Sequence, residues 1–192
     1  MSSRTDSELI RAYTEGESGA FETLVSRHTD AIFGYIARLI GDREAAPDVT
    51  QETFVKAWKN LGRFRTDENF KTWIFTIARN SAYDWLRKKK HVPFSAMGGE
   101  GNPDSFAENI SDTEPLPDAL ALQSEDGRFL EQLLTHLPHD VRDILLLHYE
   151  GGMTFDEIGK VRGESLNTIK SRHRRALIAL RETALKDAPK YR

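Results

Sequence analysis

The sequence predicts an all-α protein made of two small helical domains that a flexible acidic linker joins. Apolar residues recur at steps of three and four along most of the chain, which is typical of amphipathic helices. The stretch 94–118 interrupts this pattern, carries no Lys or Arg, and contains several glycines and prolines, so we interpret it as the linker. The predicted domains are therefore 1–93 and 119–192, each long enough to bury its own core.

Four amphipathic helices are predicted before the linker, over 6–15, 18–40, 45–61 and 70–89. Ser18 is expected to cap the second helix, and Gly41 to end it. Pro47 is compatible only with the first turn of the third helix, where its missing N–H is not needed. Asn69 is expected to cap the fourth helix after a loop over 62–68.

Four further helices are predicted after the linker, over 119–136, 138–149, 154–161 and 165–185. Thr154 and Glu157 have the spacing of a capping box, and Ser165 can cap the last helix. Gly163 falls in the turn between these two helices, where it is free to adopt positive φ. A short helix, a glycine turn and a longer basic helix indicate a helix-turn-helix, although an ordinary corner between packed helices has the same pattern.

The charges are distributed unevenly, although the whole chain carries only −3. Residues 55–93 and 160–192 each carry +7, and residues 94–127 between them carry −8. Two basic blocks separated by an acidic one indicate two contact points on one polyanion. The stretch 56–90 also holds all three tryptophans, and basic charge among flat rings suits phosphates and unstacked bases. A solvated basic face beside a Trp-rich core edge explains the same composition.

Several classes of protein are excluded or disfavoured by what the sequence lacks. It has no cysteine, so disulfides and thiolate metal sites are excluded. The N-terminus has no apolar stretch typical of a signal peptide, and no run approaches 18 apolar residues. Glycine-rich phosphate loops and common hydrolase motifs are also absent. We therefore expect a cytoplasmic protein without membrane insertion, and predict no catalytic residues, no metal and no cofactor.

Two ordered motifs resemble regions 2 and 4 of the sigma factors of bacterial RNA polymerase. The first consists of DVTQETFVKAW over 48–58, Phe64-Arg65, and FKTWIFTIARN over 70–80. The second consists of Leu137-Pro138, MTFDEIG over 153–159, and TIKSR over 168–172. Because the chain has only these two regions and a linker, it resembles the extracytoplasmic-function (ECF) group of the sigma-70 family. The likeness covers nearly the whole chain.

The resemblance implies a promoter-specificity subunit that performs no chemistry itself. Such a protein binds core RNA polymerase, recognises the −35 and −10 promoter elements, and helps to melt the −10 region. The implied partners are the β′ coiled coil and the β flap of core polymerase, promoter DNA, and an anti-sigma factor that covers both domains. In the family the linker runs near the RNA exit path, where an acidic segment is expected to mimic nucleic acid.

The resemblance also implies three sets of contact residues. Core-polymerase contacts are expected from Asp48, Gln51, Glu52 and Val55. Contacts with the −10 element are expected from Lys56, Phe64, Arg65, Arg79 and Asn80. Contacts with the −35 element are expected from Ser165, Asn167, Thr168, Lys170, Ser171, Arg172, Arg174 and Arg175. Flipping a base out of the stack costs a few kcal/mol. Within the −10 set, the aromatic ring of Phe64 and the amide of Asn80 suit a pocket that captures such a base and offsets this cost.

Two positions depart from the family pattern, and one other function fits part of the sequence. Asn167 stands where the family commonly has glycine, and Asp84 places an acid on the DNA-side helix, where it either repels phosphate or accepts from a cytosine amine. A stand-alone helix-turn-helix regulator would explain the C-terminal half, but it leaves the basic, Trp-rich stretch without a role.

Overall fold

The computed structural model describes residues 4–65, 69–90 and 127–187, and within these residues the chain forms helices and no strands. The helices are α1 (Asp6–Thr14), α2 (Ser18–Ile40), α3 (Ala46–Asn60), a 3₁₀ turn (Leu61–Arg63), α4 (Phe70–Lys90), α5 (Gly127–His136), α6 (His139–Tyr149), α7 (Phe155–Arg162) and α8 (Leu166–Asp187). The prediction of an all-α fold is confirmed. The predicted linker over 94–118 lies outside the described residues, as do residues 119–126 of the next predicted helix.

Most of the predicted helix ends are confirmed by their hydrogen bonds. The Asn69 side chain accepts from the backbone N–H of Lys71 at 2.9 Å, and the Ser165 hydroxyl accepts from the N–H of Thr168 at 3.2 Å. Thr154 and Glu157 form the predicted capping box at the start of α7. These contacts satisfy backbone donors that a helix start leaves unpaired.

One predicted cap is wrong, and one cap was not predicted. Gly16 adopts a φ of +104°, and the next residue, Glu17, is the N-cap of α2, which begins at Ser18 as predicted. Ser18 is therefore the first residue inside the helix, and the cap has no side-chain hydrogen bond. At the start of α1, Thr5 and Glu8 form a second capping box, which the spacing of the two residues could have predicted.

Helices α1–α4 form an N-terminal bundle around α2, which contacts each of the other three. The inward face of α2 is fully buried at Leu24, Ile32 and Ile36, as its apolar periodicity predicts. Ile74 and Ala78 of α4 are buried in the same core. This packing fixes α3 and α4 side by side. The outer face of α3 carries the residues predicted to contact core polymerase.

Helices α5–α8 form a C-terminal bundle in which α6 and α7 support α8. Gly159 of α7 lies so close to the turn before α8 that an added Cβ would meet the backbone oxygen of Glu164 at 2.8 Å. Gly163 in this turn adopts a left-handed φ of +69°, as predicted. The helix-turn-helix is thus formed, with α8 as its second helix.

The two bundles pack directly against each other, which the sequence analysis did not predict. Helix α2 contacts α5 and α6, and α4 contacts α7. The buried Tyr35 ring meets the buried Phe75 ring edge-on at 5.4 Å, and Phe75 in turn packs against Gly151 of the C-terminal bundle. The buried apolar side chains of both bundles therefore form one continuous core. Among the helices of the described residues, none is long and apolar enough to cross a membrane.

Candidate nucleic-acid interface

The four residues predicted to bind core polymerase share one exposed face of α3. Asp48, Gln51, Glu52 and Val55 are separated by steps of three, one and three, and all four are exposed. Lys56 lies within 2.8 Å of Glu52, and this hydrogen bond lowers the pKa of the Glu52 carboxyl. The face therefore offers carboxylates around one apolar side chain, which is 41% exposed.

Trp58 extends this face by one turn, although the apolar pattern of the sequence predicted that it lies on the buried side of this helix. Its ring is 53% exposed, which is unusual for a large apolar side chain. Its indole N–H donates to the Tyr13 hydroxyl at 2.8 Å, so α1 holds the ring in a fixed orientation. The spacing from Val55 to Trp58 was the signal that could have indicated a shared face.

The residues predicted to contact the −10 element occupy the end of α3, the loop that follows it, and α4. The Phe64 ring packs edge-on against Phe70 and Trp73, with centroids 5.7 and 5.2 Å away, and so has a fixed orientation. Arg65 and Asn80 are both exposed. The structure therefore presents an aromatic wall, a cation and an amide on one bundle.

Asp84, the acid that departs from the family pattern, is accounted for by its neighbours. It forms an ion pair with Arg87 one turn later, and the Lys56 ammonium lies 3.7 Å from its second oxygen. Lys56 also donates to the Ser81 hydroxyl at 3.0 Å, which ties α3 to α4. Asp84 thus partly neutralises a basic surface, and its carboxylate orients two of the cations around it.

Arg79 differs from the other predicted −10 residues because it contacts the C-terminal bundle. Its Nε donates to Asp143 at 2.8 Å, and its guanidinium lies 4.7 Å above the Tyr83 ring. Burial lowers the pKa of Arg79 and the Asp143 carboxylate raises it, with a net upward shift. Arg79 is therefore held inside the contact between the bundles and does not face outward.

The residues predicted to contact the −35 element lie at the start of α8. The first five of them are exposed: Ser165, Asn167, Thr168, Lys170 and Ser171. Arg172 is half-buried and pairs with Asp140 at 2.7 Å and with Glu164 at 3.1 Å. Arg174 and Arg175 are also half-buried. The exposed set consists of small polar groups and one cation, which reach base edges and phosphates when a helix enters a major groove.

The opposite face of α8 packs against α6 and α7. Ile169 and Ala176 are fully buried, and His173 lies between them. The His173 ring contacts the rings of His148 and Phe155, with centroids 5.0 and 4.9 Å away. Burial, followed by the neighbouring His148, lowers the pKa of His173 to about 4. His173 is therefore an uncharged side chain of this small core at neutral pH.

Three carboxylates, Asp140, Asp143 and Glu164, form an acidic cluster that the sequence analysis did not predict. Arg162, whose side chain is almost fully buried, binds all three, at 2.5 Å to Asp140 and 3.0 Å to Glu164. Arg79 and Arg172 bind members of the same cluster from two other helices. The cluster joins residues up to 93 positions apart in the sequence, and no local pattern indicates such contacts.

Comparison with known proteins identifies the family. The family model described as Sigma-70 region 2 matches residues 24–92, and the model described as Sigma-70, region 4 matches residues 130–180. The RNA polymerase sigma-H factor of Pseudomonas aeruginosa is 30% identical over 181 residues, which are 94% of each chain. The chain belongs to the sigma-70 family of RNA polymerase sigma factors. It acts in promoter-directed transcription initiation and is not an enzyme.

Further relatives assign this sigma factor to the ECF group. The ECF sigma factor SigW of Bacillus subtilis is 29% identical over 90% of this chain and 93% of its own. Among solved structures, CnrH in complex with the cytosolic domain of CnrY has a TM-score of 0.67 at 29% identity, covering 95% of this chain and 97% of the other. The sigma factor RpoE of Bartonella quintana, in complex with the anti-sigma factor NepR, has a TM-score of 0.63 at 26% identity, covering 87% and 98%. The predicted family and function are confirmed.

Proposed function

We propose that this sigma factor binds core polymerase through the exposed face of α3 and reads a promoter with α4 and α8. The proposed domains are 1–93 and 119–192, joined by the linker over 94–118, and the proposed site of action is the cytoplasm. The observation that carries the proposal is the chemistry of the exposed faces, because acidic and apolar groups on α3 suit a protein partner while α8 presents groups that suit DNA.

At the −10 element, the first proposed step is the capture of a base that leaves the duplex. Phe64 is fixed by Phe70 and Trp73, so a base that stacks on it meets a surface that needs no reordering. The Asn80 amide donates to and accepts from a base edge, and Arg65 and Lys56 neutralise neighbouring phosphates. These contacts offset the few kcal/mol that unstacking costs.

At the −35 element, α8 enters the major groove with its N-terminal end. Asn167, Thr168, Lys170 and Ser171 reach base edges, and Ser165 contacts the backbone at the helix start. Arg172, Arg174 and Arg175 serve phosphates from the next turn of the helix. We also propose that the C-terminal bundle contacts the β flap. An anti-sigma factor is a further proposed partner and binds both bundles, because the similar sigma factor RpoE forms a complex with the anti-sigma factor NepR.

The experiment that tests this proposal is reconstitution with purified core polymerase. We expect co-elution with core and transcription that depends on the promoter. In that holoenzyme, Asn80→Ala should reduce melting at −10 about ten-fold, as measured by permanganate reactivity, and should leave the −35 footprint intact. Ser171→Ala is the reciprocal variant, because it should weaken the −35 footprint first. Equal losses at both elements for both variants, or no co-elution with core, would contradict the proposal.

A further inference from the structure

The ring of Trp58 is both exposed and held in a fixed orientation. It is 53% exposed, and its indole N–H donates to the Tyr13 hydroxyl at 2.8 Å. The other two tryptophans, Trp73 and Trp85, are less exposed. Holding a surface side chain in one rotamer costs conformational entropy, and its hydrogen bond adds little to folding because water satisfies the same groups. The main effect of this contact is therefore on the orientation of the ring.

Tyr13 is itself fixed by the N-terminal bundle. It is half-buried in the last turn of α1, and its ring packs against Phe21 of α2, with centroids 5.6 Å apart. Its backbone carbonyl accepts from the N–H of Gly16, in the turn that leads to α2, at 3.0 Å. The hydroxyl that holds Trp58 thus belongs to a side chain with little freedom. Contacts among these three aromatic side chains connect α2, α1 and α3.

Trp58 continues the exposed stripe of α3 that carries the proposed core-polymerase contacts. Gln51, Val55 and Trp58 are four and three residues apart, a spacing that places side chains next to each other on one face of a helix. Val55 is 41% exposed, so two large apolar side chains follow each other at the surface. The exposed carboxylates of Asp48 and Glu52 lie nearer the start of the same helix. The stripe therefore has an acidic end and an apolar end.

This composition fits a protein partner better than a nucleic acid. A protein interface has an apolar centre with polar groups around it, and tryptophan is among the residues that contribute most to binding. An exposed ring also suits stacking on an unpaired base, as proposed for Phe64, but that role needs cations that neutralise phosphates. Lys59 is exposed beside Trp58, but the charged groups of the stripe itself are the carboxylates of Asp48 and Glu52, which repel phosphates.

We propose that Trp58 is the apolar anchor of the surface that binds core polymerase, and that Tyr13 is a positioning residue that holds the ring in its bound orientation. This inference rests on the proposed function, because it extends the α3 face through which core polymerase is bound. A side chain that is already in its bound rotamer loses less conformational entropy on binding. Helix α1, to which the sequence analysis assigned no role, thus strengthens polymerase binding through Trp58.

Three variants separate the effect of the ring from that of the hydroxyl. Trp58→Ala removes the ring, whereas Trp58→Phe keeps an aromatic ring and removes the N–H that the Tyr13 hydroxyl accepts. Tyr13→Phe removes this hydroxyl and keeps the ring that packs on Phe21. The matched control is Tyr83→Phe, which removes a buried tyrosine hydroxyl without a hydrogen-bond partner in the described part of the chain. Circular dichroism and urea unfolding establish that each variant is folded.

The first measurement is the affinity and dissociation rate of each full chain on immobilised core polymerase. Trp58→Ala should weaken binding about thirty-fold, the loss expected for a tryptophan at the centre of an interface. Tyr13→Phe should weaken it about five-fold, mostly through faster dissociation, because a mobile ring has to be ordered on binding. Tyr83→Phe should bind like the wild type. In the Trp58→Phe background, Tyr13→Phe should have no further effect, because no indole N–H remains for the hydroxyl to accept.

The second measurement reports on the ring in the free chain and does not depend on polymerase. Each tryptophan indole N–H gives one nuclear magnetic resonance signal, and the signal of Trp58 is the one that Trp58→Phe removes. The heteronuclear Overhauser effect of this signal reports motion on the ps–ns timescale. It should fall in Tyr13→Phe, while the signals of Trp73 and Trp85 keep their values. Tyr83→Phe should leave the Trp58 signal unchanged.

Four results would overturn the inference. A folded Trp58→Ala chain that binds core as tightly as the wild type would show that the ring is not an anchor. An equal loss from Tyr13→Phe with Trp58 or Phe at this position would show that the hydroxyl acts independently of the indole. An unchanged Overhauser effect in Tyr13→Phe would show that the hydroxyl does not hold the ring. A Trp58→Ala holoenzyme, assembled at saturating concentration, that fails to melt −10 DNA would assign the ring to nucleic acid.

Glu52→Gln distinguishes a failure of this inference from a failure of the proposed function. Glu52 belongs to the proposed polymerase-binding face and is exposed on α3. If Glu52→Gln weakens binding to core and Trp58→Ala does not, the α3 face is retained and only the anchor is wrong. If neither variant weakens binding, or the wild-type chain does not bind core at all, the proposed function and the anchor fail together.

Discussion

The two basic helices of this sigma factor, α4 and α8, belong to blocks of equal charge but differ in accessibility. Each block carries +7, and each helix follows a turn and a side-chain cap. The start of α8 is exposed at Asn167 and Lys170, whereas α4 is covered at Arg79 by the opposite bundle. The comparison teaches that charge identifies the helices that suit a polyanion, while the packing between bundles decides which of them is available.

The same two helices are anchored by different chemistry. The inward face of α4 is apolar, with Ile74, Phe75 and Ala78 fully buried. The inward face of α8 includes His173, whose ring packs among other rings and is neutral at pH 7. Protonation of His173 in acid should therefore weaken the packing of α8. Ile74, Phe75 and Ala78 of α4 cannot be protonated, so acid should not weaken the packing of α4 through them.

The first prediction, with the largest effect on stability, uses this difference. The pKa of His173 is about 4 when folded and about 6.5 when unfolded, so the unfolded chain binds its proton first as pH falls. The stabilisation is complete above pH 6.5, is lost progressively down to about pH 4, and amounts to about 3 kcal/mol. Urea unfolding between pH 7 and pH 4 measures it. His173→Gln should have a shallower slope over this window, and a slope equal to that of wild type would show that His173 does not anchor α8.

The second prediction has a smaller effect and separates capping from DNA contact on α8. Ser165→Ala and Thr154→Ala each remove a side-chain cap, and each should lower the free energy of unfolding by about 1 kcal/mol. Only Ser165 is also proposed to contact −35 DNA. Footprinting of the holoenzyme should therefore show weaker −35 protection for Ser165→Ala than for Thr154→Ala. Equal protection would remove Ser165 from the DNA contacts and leave it as a cap.

Local features of the fold could be predicted from the sequence, and long-range ones could not. Periodicity and capping residues predicted the helices to within about two residues at most ends, because both depend on neighbours in the sequence. Ser18 was the exception in its role alone, because α2 begins at Ser18 as predicted but Glu17 is its N-cap. The contact of Tyr35 with Asp143 joins residues 108 positions apart, and neither residue carries a local signal of it.

The residues of the predicted site also fall into those that the sequence placed correctly and those whose surroundings depend on long-range packing. The family resemblance grouped Asp48, Glu52 and Val55 as core-polymerase contacts, and all three are exposed on α3. The same resemblance placed Arg79 among the DNA contacts, but its pairing with Asp143 depends on how the two bundles meet. The acidic cluster was missed because Asp140 and Asp143 look like ordinary surface acids near a helix start.

The central claim is that one chain contacts both promoter elements, the −10 element through the N-terminal bundle and the −35 element through the C-terminal bundle, and that the bundles must separate to do so. The most direct test is the distance between a label on each bundle in the assembled promoter complex. The sequence has no cysteine, so Glu22→Cys on α2 and Glu182→Cys on α8 give two unique, exposed sites for labels. The distance between these labels should be short in the free chain and long when the chain is bound to core polymerase and promoter DNA. The separation in that complex should be comparable to two turns of DNA, roughly 70 Å. A short distance that persists in a complex active in transcription would contradict the account.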